Sequence, residues 1–145
     1  MKLISKQVIV MRKDLNMRKG KMIAQGAHAS MKAILDVMTN NPNFKYLHDD
    51  QESEGGILNK NLRIEAGSPL QDWIEGKFTK ICVSVDSEEE LEEIYQKAKE
   101  KGLMCAIITD AGLTEFGGIP TKTCCAIGPN WAQDIDEVTG HLKLL

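Results

Sequence analysis

The segment MRKGKMIAQGAHA, from Met17 to Ala29, is the main basis for predicting the fold of this chain. It follows a short apolar run, Val8 to Met11, so the order predicts a strand that leads into a helix. Glycine and basic residues stand at the opening of that helix, where backbone N–H groups have no partner within the helix and favour an anion. We therefore expect the helix to begin at an edge that attracts negative charge.

The helical period divides the following residues into two faces. The apolar face, predicted to lie against the core, contains Ile23, Ala27, Met31, Ile34, Leu35 and Met38. A polar face at the same kind of spacing contains Lys21, Gln25, His28 and Lys32. A solvent-facing stripe more usually mixes Glu and Lys, whereas this one combines cations, an amide and an imidazole. It indicates a surface for an anionic, hydrogen-bonding ligand.

The totals fit one folded domain, residues 1–145. This length allows one substantial core, and the hydrophobic and charged fractions, 42% and 27%, are ordinary for a globular protein. The net charge is −3, but residues 1–32 contain eight lysines and arginines against Asp14 alone, so the remaining residues carry −10. This asymmetry favours a local patch for polyanions, although a basic N-terminal segment without a partner fits the charge equally well.

Cysteine usage indicates a reducing compartment. The four cysteines form no C-x-x-C pair, and two are adjacent, which does not suit a disulfide or zinc framework; they are Cys82, Cys105, Cys124 and Cys125. The N-terminus has no long apolar run with a cleavage site, and no run approaches membrane-spanning length. We therefore expect a soluble, cytoplasmic protein that has no membrane partner.

Apolar runs and turn signals predict an α/β fold. Strands are predicted at 7–12, 80–85, 104–109 and 123–127, and helices at 20–39, 70–75, after Ser87 and after 128–130. Ser87 and Glu90 form a capping-box pattern, and Gly102 follows the end of that helix. The last two strands are joined by a connection too short for a crossover helix, so we expect them to be antiparallel.

Residues 41–70 are the least regular part of the chain. They include an acidic loop and a stretch, 58–64, that fits either a short strand or an ordered arm. A loop of this length in a compact domain is usually either functional or mobile, and both alternatives stay open.

Polar residues at the predicted ends of strands and helices form the candidate site. Lys21 lies in the first turn of its helix, and Asp110 follows a strand. Thr114 follows Asp110 on the same turn. Thr121 and Thr123 stand at the entry to the next strand. Such groups in one place can position a water and stabilise an oxyanion during ester cleavage. The alternative is that Asp110 only forms a turn in Asp-Ala-Gly, and that the threonines reflect strand propensity.

Several common motifs do not occur in the sequence. It contains no G-x-x-x-x-G-K-[ST], no G-x-G-x-x-G after a strand and no G-x-S-x-G, and its three histidines have no metal-ligand spacing. We expect neither a metal ion nor an organic cofactor.

Four blocks of the sequence resemble a known family. They are M-x-K-G-K-x-x-A-Q-x-x-H-A at 17–29, D-A-G-x-T at 110–114, T-C-x-x-I-G-P at 123–129 and V-T-G-x-L-K-L at 138–144. In content and order they are similar to the second type of peptidyl-tRNA hydrolase, typical of archaea and eukaryotes. The resemblance implies hydrolysis of the ester that joins a peptide, or an N-blocked aminoacyl group, to the 3′ ribose of tRNA, which recycles the tRNA for translation.

The resemblance also implies a three-layer sandwich, with a small four-stranded mixed sheet flanked by helices, and commonly a homodimer. The implied partner is the acceptor end of peptidyl-tRNA. Matched position by position, the residues expected to carry catalysis are Lys21, Asp110, Thr114 and Thr123. Gln25 and His28 match further positions of the family signature. We expect these two residues to bind substrate together with Arg18, Lys19, Lys32 and Thr121. For His28, a structural hydrogen bond along the helix is an equal alternative.

Each catalytic position has a hypothetical role. Asp110 would orient or deprotonate the attacking water, and Lys21 would bind the terminal phosphate or offset charge on the tetrahedral intermediate. The Thr114 and Thr123 hydroxyls would hold the water or the ester carbonyl.

The chain departs from the family pattern at three places. Arg18 stands where the family usually has glycine, the loop 115–120 is about one residue longer than the common form, and the segment 41–70 is a family-atypical insertion. Two rival functions also stay open: a tRNA-end or RNA-binding module that lacks catalysis, and an interaction protein in which the 41–70 segment dominates and the helix patch docks an acidic partner.

Overall fold

The computed structural model describes residues 3–41 and 58–145. Residues 42–57, which include the acidic loop, lie outside the described residues. The elements in chain order are β1 (Ser5–Arg12), α1 (Lys19–Leu35), β2 (Thr39–Asn40), β3 (Lys60–Asn61), α2 (Pro69–Glu75), β4 (Lys80–Val85), α3 (Glu88–Glu100), β5 (Cys105–Asp110), β6 (Thr121–Trp131), α4 (Ala132–Thr139) and β7 (Lys143–Leu144).

The main sheet is mixed, and its strand order is β5-β6-β1-β4-β7. Strand β1 is parallel to β4, whereas β6 is antiparallel to both β1 and β5, which confirms the predicted antiparallel pair. The expected count of four strands is wrong for this sheet, because the C-terminal tail pairs with Val83 and Ser84 as a fifth strand, β7. A separate pair, β2 with β3, shows that the stretch 58–64 contains a short strand.

Alternating residues of the sheet contribute to two separate hydrophobic clusters. Val8 and Val10 pack in one cluster with residues of α3 and α4, including Leu91 and Ile135. Residues Ile9 and Met11 belong to the other, whose helical members are Ala29 and Ala33 of α1. This alternation follows from the period of two along a strand, and it explains why the sheet is apolar almost throughout. The three-layer sandwich stays a prediction.

The buried face of α1 differs from the predicted one. Ile23 is 74% exposed and Met31 is 60% exposed, so the stripe of large apolar residues does not face the core. The buried residues are instead Gln25, Gly26, Ala29 and Ala33. Small side chains allow the helix axis to lie close to the sheet, and a Cβ added at Gly26 would already be 3.8 Å from side-chain atoms of Ile9 and Met11. The prediction failed because it followed the hydrophobic period, which undervalues the small residues that close packing selects here.

The exposed stripe of α1 borders an apolar groove of about 660 Å³. Its floor includes Ile9 and Cys82, and Phe78 and Leu145 line it beside Met31 of α1. Strand β4 contributes to this groove because α1 covers β5, β6 and β1 rather than β4.

Local signals for the ends of helices agree with the structure. The Ser87 hydroxyl accepts a hydrogen bond from the Glu90 backbone N–H, and Gly102 follows α3 with φ of +73°. Ser68 caps α2 in the same way, accepting from the Gln71 N–H. Within the described ranges 3–41 and 58–145, no helix is long and apolar enough to cross a membrane.

Chain topology brings the two halves of the candidate site to one edge of the sheet. Strands β1 and β5 both pair antiparallel with β6, so they run in the same direction and end at the same edge. Helix α1 begins seven residues after β1 ends, at Lys19, and β5 ends at Asp110. The first turn of α1 and the end of β5 therefore lie together at the carboxyl edge, where open α/β sheets usually bind ligands.

The buried face of α1 can be tested by replacing one buried and one exposed alanine with glutamate. Ala33→Glu places a charge at a position that is 1% exposed, so the free energy of unfolding should fall by about 2 kcal/mol or more. Ala27→Glu, at an exposed position that the sequence assigned to the core, should change it by no more than about 0.5 kcal/mol. Urea unfolding measures both, and equal losses would contradict the observed face.

Candidate active site

Lys21 and Asp110 form an ion pair at the carboxyl edge of the sheet. The Lys21 Nζ atom lies 2.9 Å from Asp110 Oδ1, and each side chain is 15% exposed. Lys21 belongs to the first turn of α1 and Asp110 is the last residue of β5. The structure therefore brings together the two charged residues that the sequence proposed for catalysis.

The Asp110 carboxylate accepts three hydrogen bonds. Oδ1 accepts from Lys21 Nζ and, at 3.1 Å, from Gln25 Nε2. Oδ2 accepts from the Gly112 backbone N–H at 2.9 Å. The hydrogen bond from Lys21 is the largest cause that lowers the pKa of Asp110 below its ordinary value, and the Gly112 N–H, the Lys21 charge and Gln25 add to it against a partial desolvation. Asp110 is therefore ionised at neutral pH.

The turn after Asp110 requires a glycine. Gly112 has φ of +80°, and a Cβ there would lie 2.2 Å from the backbone oxygen of Ile119. The Gly112 carbonyl also accepts from the Gly118 N–H at 2.7 Å, which ties the two ends of the β5–β6 loop together. Asp110 is thus a turn-forming residue as well as the partner of Lys21, so the two alternatives for this residue do not exclude one another.

Thr114 and Phe116 complete the surroundings of the Lys21 ammonium. Lys21 Nζ donates to Thr114 Oγ1 at 3.0 Å and lies 5.6 Å from the centre of the Phe116 ring. The ammonium has three N–H groups, and Asp110 and Thr114 account for two of them. Because the Thr114 oxygen accepts from Lys21, its own O–H remains able to donate.

Thr123 and Gln25 lie beneath this surface cluster. Thr123 is 0% exposed and Gln25 is 2% exposed. The Thr123 hydroxyl donates to Gln25 Oε1 at 2.6 Å, and the same amide donates to Asp110 through Nε2. The sequence placed Thr123 among the catalytic residues and Gln25 among the substrate-binding ones, whereas the structure connects both to Asp110 from the interior.

Cys124 is the cysteine next to the cluster. Its Sγ donates to the backbone oxygen of Gln25 at 3.3 Å, and burial raises the pKa of the thiol to about 11. A thiol with this pKa carries almost no thiolate at neutral pH, so Cys124 is not a nucleophile. Its hydrogen bond links β6 to α1.

The remaining residues proposed for substrate binding surround the cluster unevenly. Arg18, Lys19 and His28 are exposed, and Arg18 Nε lies 3.5 Å from Glu115 Oε1. Lys32 pairs with Asp36 at 3.1 Å, one helical turn further along α1. The Thr121 hydroxyl instead donates to the Ile119 backbone oxygen at 2.8 Å and so holds the β5–β6 loop. Because His28 is exposed, a substrate can reach its side chain, and its role stays a prediction.

Sequence reasoning missed two members of this site, Glu115 and Phe116, and one contact of a predicted member, Gln25. The contact of Gln25 with Asp110 was signalled only by its spacing of four from Lys21, which puts both on one stripe of a helix. The pairing of Glu115 with Arg18 and the position of Phe116 near Lys21 had no signal, because both depend on the path of the β5–β6 loop. That loop contains glycines at positive φ, Gly117 and Gly118, whose turns the sequence does not specify uniquely.

The arrangement is suited to ester cleavage. An ammonium held by a carboxylate and a hydroxyl can stabilise an oxyanion, and the carboxylate can orient a water. The exposed cations beside it can hold phosphates. The geometry of the cluster is therefore compatible with a hydrolytic site, and its exposed cations are compatible with a polyanionic substrate.

Comparison with known proteins gives the same family throughout. Residues 5–145 match the model of the family described as "Peptidyl-tRNA hydrolase PTH2". A protein of Methanocaldococcus jannaschii named peptidyl-tRNA hydrolase is 41% identical over 140 residues, covering 97% of this chain and 99% of the relative. The peptidyl-tRNA hydrolase of Methanopyrus kandleri is 36% identical over 140 residues, covering 97% of each chain.

A third relative extends the same pattern. The peptidyl-tRNA hydrolase of Nanoarchaeum equitans is 41% identical over 139 residues, covering 96% of this chain and 97% of the relative. Identity at this level over almost the whole of each chain shows shared ancestry, and the Lys21–Asp110 cluster lies within the matched residues. The chain belongs to the peptidyl-tRNA hydrolase PTH2 family.

Proposed function

We propose that the Lys21–Asp110 cluster hydrolyses the ester between a peptide, or an N-blocked aminoacyl group, and the 3′ ribose of tRNA. The observation that carries the proposal is the position of the Lys21 ammonium, held by Asp110 and Thr114 at the open edge of the sheet. Family membership favours this hydrolase over a non-catalytic tRNA-end binding module. The rival function based on the 41–70 segment has no supporting contact in the described residues.

Lys21 and Thr114 stabilise the negative charge that develops on the ester carbonyl oxygen. Two N–H groups of Lys21 are engaged, so the third can donate to that oxygen, and the Thr114 O–H can donate beside it. Such donors act most strongly when they are held in place before the reaction, as the ion pair and the Phe116 ring hold this ammonium.

Asp110 orients the attacking water. Its Oδ1 already accepts two hydrogen bonds, whereas Oδ2 accepts only the Gly112 N–H and can accept one more. Because the pKa of Asp110 is lowered, the carboxylate is a weak base, and holding the water in line with the ester carbon is its principal contribution. The water oxygen bonds to the carbonyl carbon, the bond between that carbon and the ribose 3′ oxygen then breaks, and one proton of the water goes to the 3′ oxygen.

Exposed basic and polar side chains along α1 bind the phosphates of the acceptor end. Arg18 precedes the helix, Lys19 begins it, His28 lies further along, and Lys32 is in its last turn. Contacts of this kind fix the position of a nucleic acid without reading its sequence, and they weaken as salt rises. They suit an enzyme that acts on many tRNAs.

The assembly and the location of the protein are further parts of the proposal. A homodimer is supported by the exposed apolar residues of α1, Ile23 and Met31, which a second copy could cover. A cytoplasmic location is supported by the substrate class.

The dimer can be tested by light scattering, which should give twice the mass of the chain. A single-chain mass at every concentration would contradict the dimer.

Loss of either charged residue should abolish turnover. Lys21→Met and Asp110→Asn each remove a group that acts on the reacting atoms, so kcat on N-acetylaminoacyl-tRNA should fall by about 10²-fold or more. Lys97→Ala, on α3, should retain the wild-type rate. Release of free tRNA, measured beside unblocked aminoacyl-tRNA, follows the reaction.

The rim variants separate binding from catalysis. Lys19→Ala should raise KM several-fold at nearly constant kcat and reduce the salt slope by about 1, because one phosphate contact is lost. Full activity of Lys21→Met or Asp110→Asn would refute the assigned site, and binding without any turnover by the wild type would favour the non-catalytic module.

The lowered pKa of Asp110 predicts how stability depends on pH. A carboxylate whose pKa is lower in the folded state stabilises the fold above its unfolded pKa, and this stabilisation is lost as pH falls through the folded value. The difference in free energy of unfolding between wild type and Asp110→Asn should therefore be greatest at neutral pH and shrink on acidification. Urea unfolding from pH 7 to pH 3 measures it; a difference that grows toward acid would contradict the ion pair.

A further inference from the structure

We propose that Thr123 and Gln25 are positioning residues, which hold the Asp110 carboxylate through two hydrogen bonds in series and do not touch the substrate. The proposal rests on the proposed function of Lys21 and Asp110, and it changes the roles that the sequence suggested for both residues. Thr123 acts on Gln25, and Gln25 acts on Asp110.

Thr123 and Gln25 are more deeply buried than the charged pair. Thr123 is 0% exposed and Gln25 is 2% exposed, whereas Lys21 and Asp110 retain 15% of their side-chain surface. A tRNA end cannot reach a fully buried hydroxyl in this fold. Any effect of Thr123 on the reaction must therefore pass through the groups that it contacts.

The direction of the two hydrogen bonds follows from the chemistry of the groups. An ionised carboxylate only accepts, so the Gln25 amide must present Nε2 to Asp110 Oδ1, at 3.1 Å. The amide oxygen then faces Thr123, whose hydroxyl must donate to it, at 2.6 Å. If the amide turned over, its oxygen would face the carboxylate and repel it. The carboxylate therefore sets the orientation of the amide, and the Thr123 hydroxyl, by donating to Oε1, holds the amide in place beneath Asp110.

The surroundings of Thr123 give no other reason for a hydroxyl. The residues that follow it in β6, from Cys124 to Ile127, are 0% exposed and belong to the two hydrophobic clusters. Valine has nearly the same shape as threonine and would pack there. The hydroxyl has one close oxygen partner, Gln25 Oε1, besides a longer contact of 3.7 Å with Cys124 Sγ.

A neutral donor has an advantage at the Gln25 position. Lys21 and Asp110 together carry no net charge, so an amide holds Oδ1 without adding to or cancelling the charge of the ammonium. A carboxyl group in its place would oppose Asp110 when ionised and imitate the amide when protonated, because the protonated form donates one hydrogen bond and accepts another.

The first experiment compares Thr123→Val with Thr123→Ser. Removing the hydroxyl should lower kcat on N-acetylaminoacyl-tRNA about tenfold, with KM changed less than twofold, because Asp110 loses its fixed orientation while the RNA contacts remain. Serine keeps the donor and should restore kcat to within about threefold of wild type. Circular dichroism and thermal unfolding check that both variants are folded.

Two outcomes would overturn the proposal. Equal losses of kcat in folded Thr123→Val and Thr123→Ser would show that the hydroxyl is not the feature that matters. A raised KM at unchanged kcat in Thr123→Val would show that the position serves binding of the substrate.

Gln25→Glu provides a second test if Thr123→Val does not fold. The ratio of its kcat to that of wild type should rise at least about fivefold as pH falls from 8 to 5, because protonation restores a donor toward Asp110. A ratio that does not change with pH would overturn the proposal. Thr123→Ser measured over the same range should keep a constant ratio.

The catalytic role of Asp110 and the positioning roles of Thr123 and Gln25 can be tested separately. Activity of the wild type and its loss in Asp110→Asn test the proposed function alone. If these hold and the Thr123 and Gln25 variants keep wild-type kcat, only the positioning roles are refuted. If Asp110→Asn is fully active, the proposed function itself fails.

Discussion

The close approach of α1 to the sheet is the constraint on which the site depends. The helix meets β1, β5 and β6 through Gln25, Gly26, Ala29 and Ala33, of which only Gln25 has a long side chain. With large residues on that face, the helix would stand further from the sheet, and the Gln25 amide would not reach both Thr123 and Asp110. The packing that stabilises the helix and the geometry of the ion pair are therefore one arrangement.

Charge placement at the start of α1 works against the stability of the helix and in favour of its function. The positive end of the helix dipole is adjacent to Lys19 and Lys21, and the first turn contains no acidic residue. Asp110, brought from β5, neutralises one of these cations, and a tRNA phosphate would neutralise others. A local loss of helix stability of this kind is common at binding and catalytic sites, because the charges there interact with the ligand.

Much of the fold could be predicted because its signals are local. The apolar run of β1, the capping pattern at Ser87 and the glycine at 102 each act within a few residues, and the short β5–β6 connection fixed an antiparallel pair. The face of α1 was wrong because close packing selects small residues, which a hydrophobic period undervalues. Strand β7 was not predicted because two residues become a strand only through pairing with β4.

Only part of the candidate site could be predicted, because only part of it has local signals in the sequence. The opening of a helix and the end of a strand mark Lys21 and Asp110, whereas burial of Thr123 and its link to Gln25 depend on contacts between residues far apart in the chain. The most direct test of the account is the structure of a complex with a tRNA acceptor end that carries an amide in place of the ester. We expect the amide carbonyl oxygen within hydrogen-bond distance of Lys21 Nζ; a 3′ end bound in the apolar groove on the other side of α1, away from Asp110, would contradict the account.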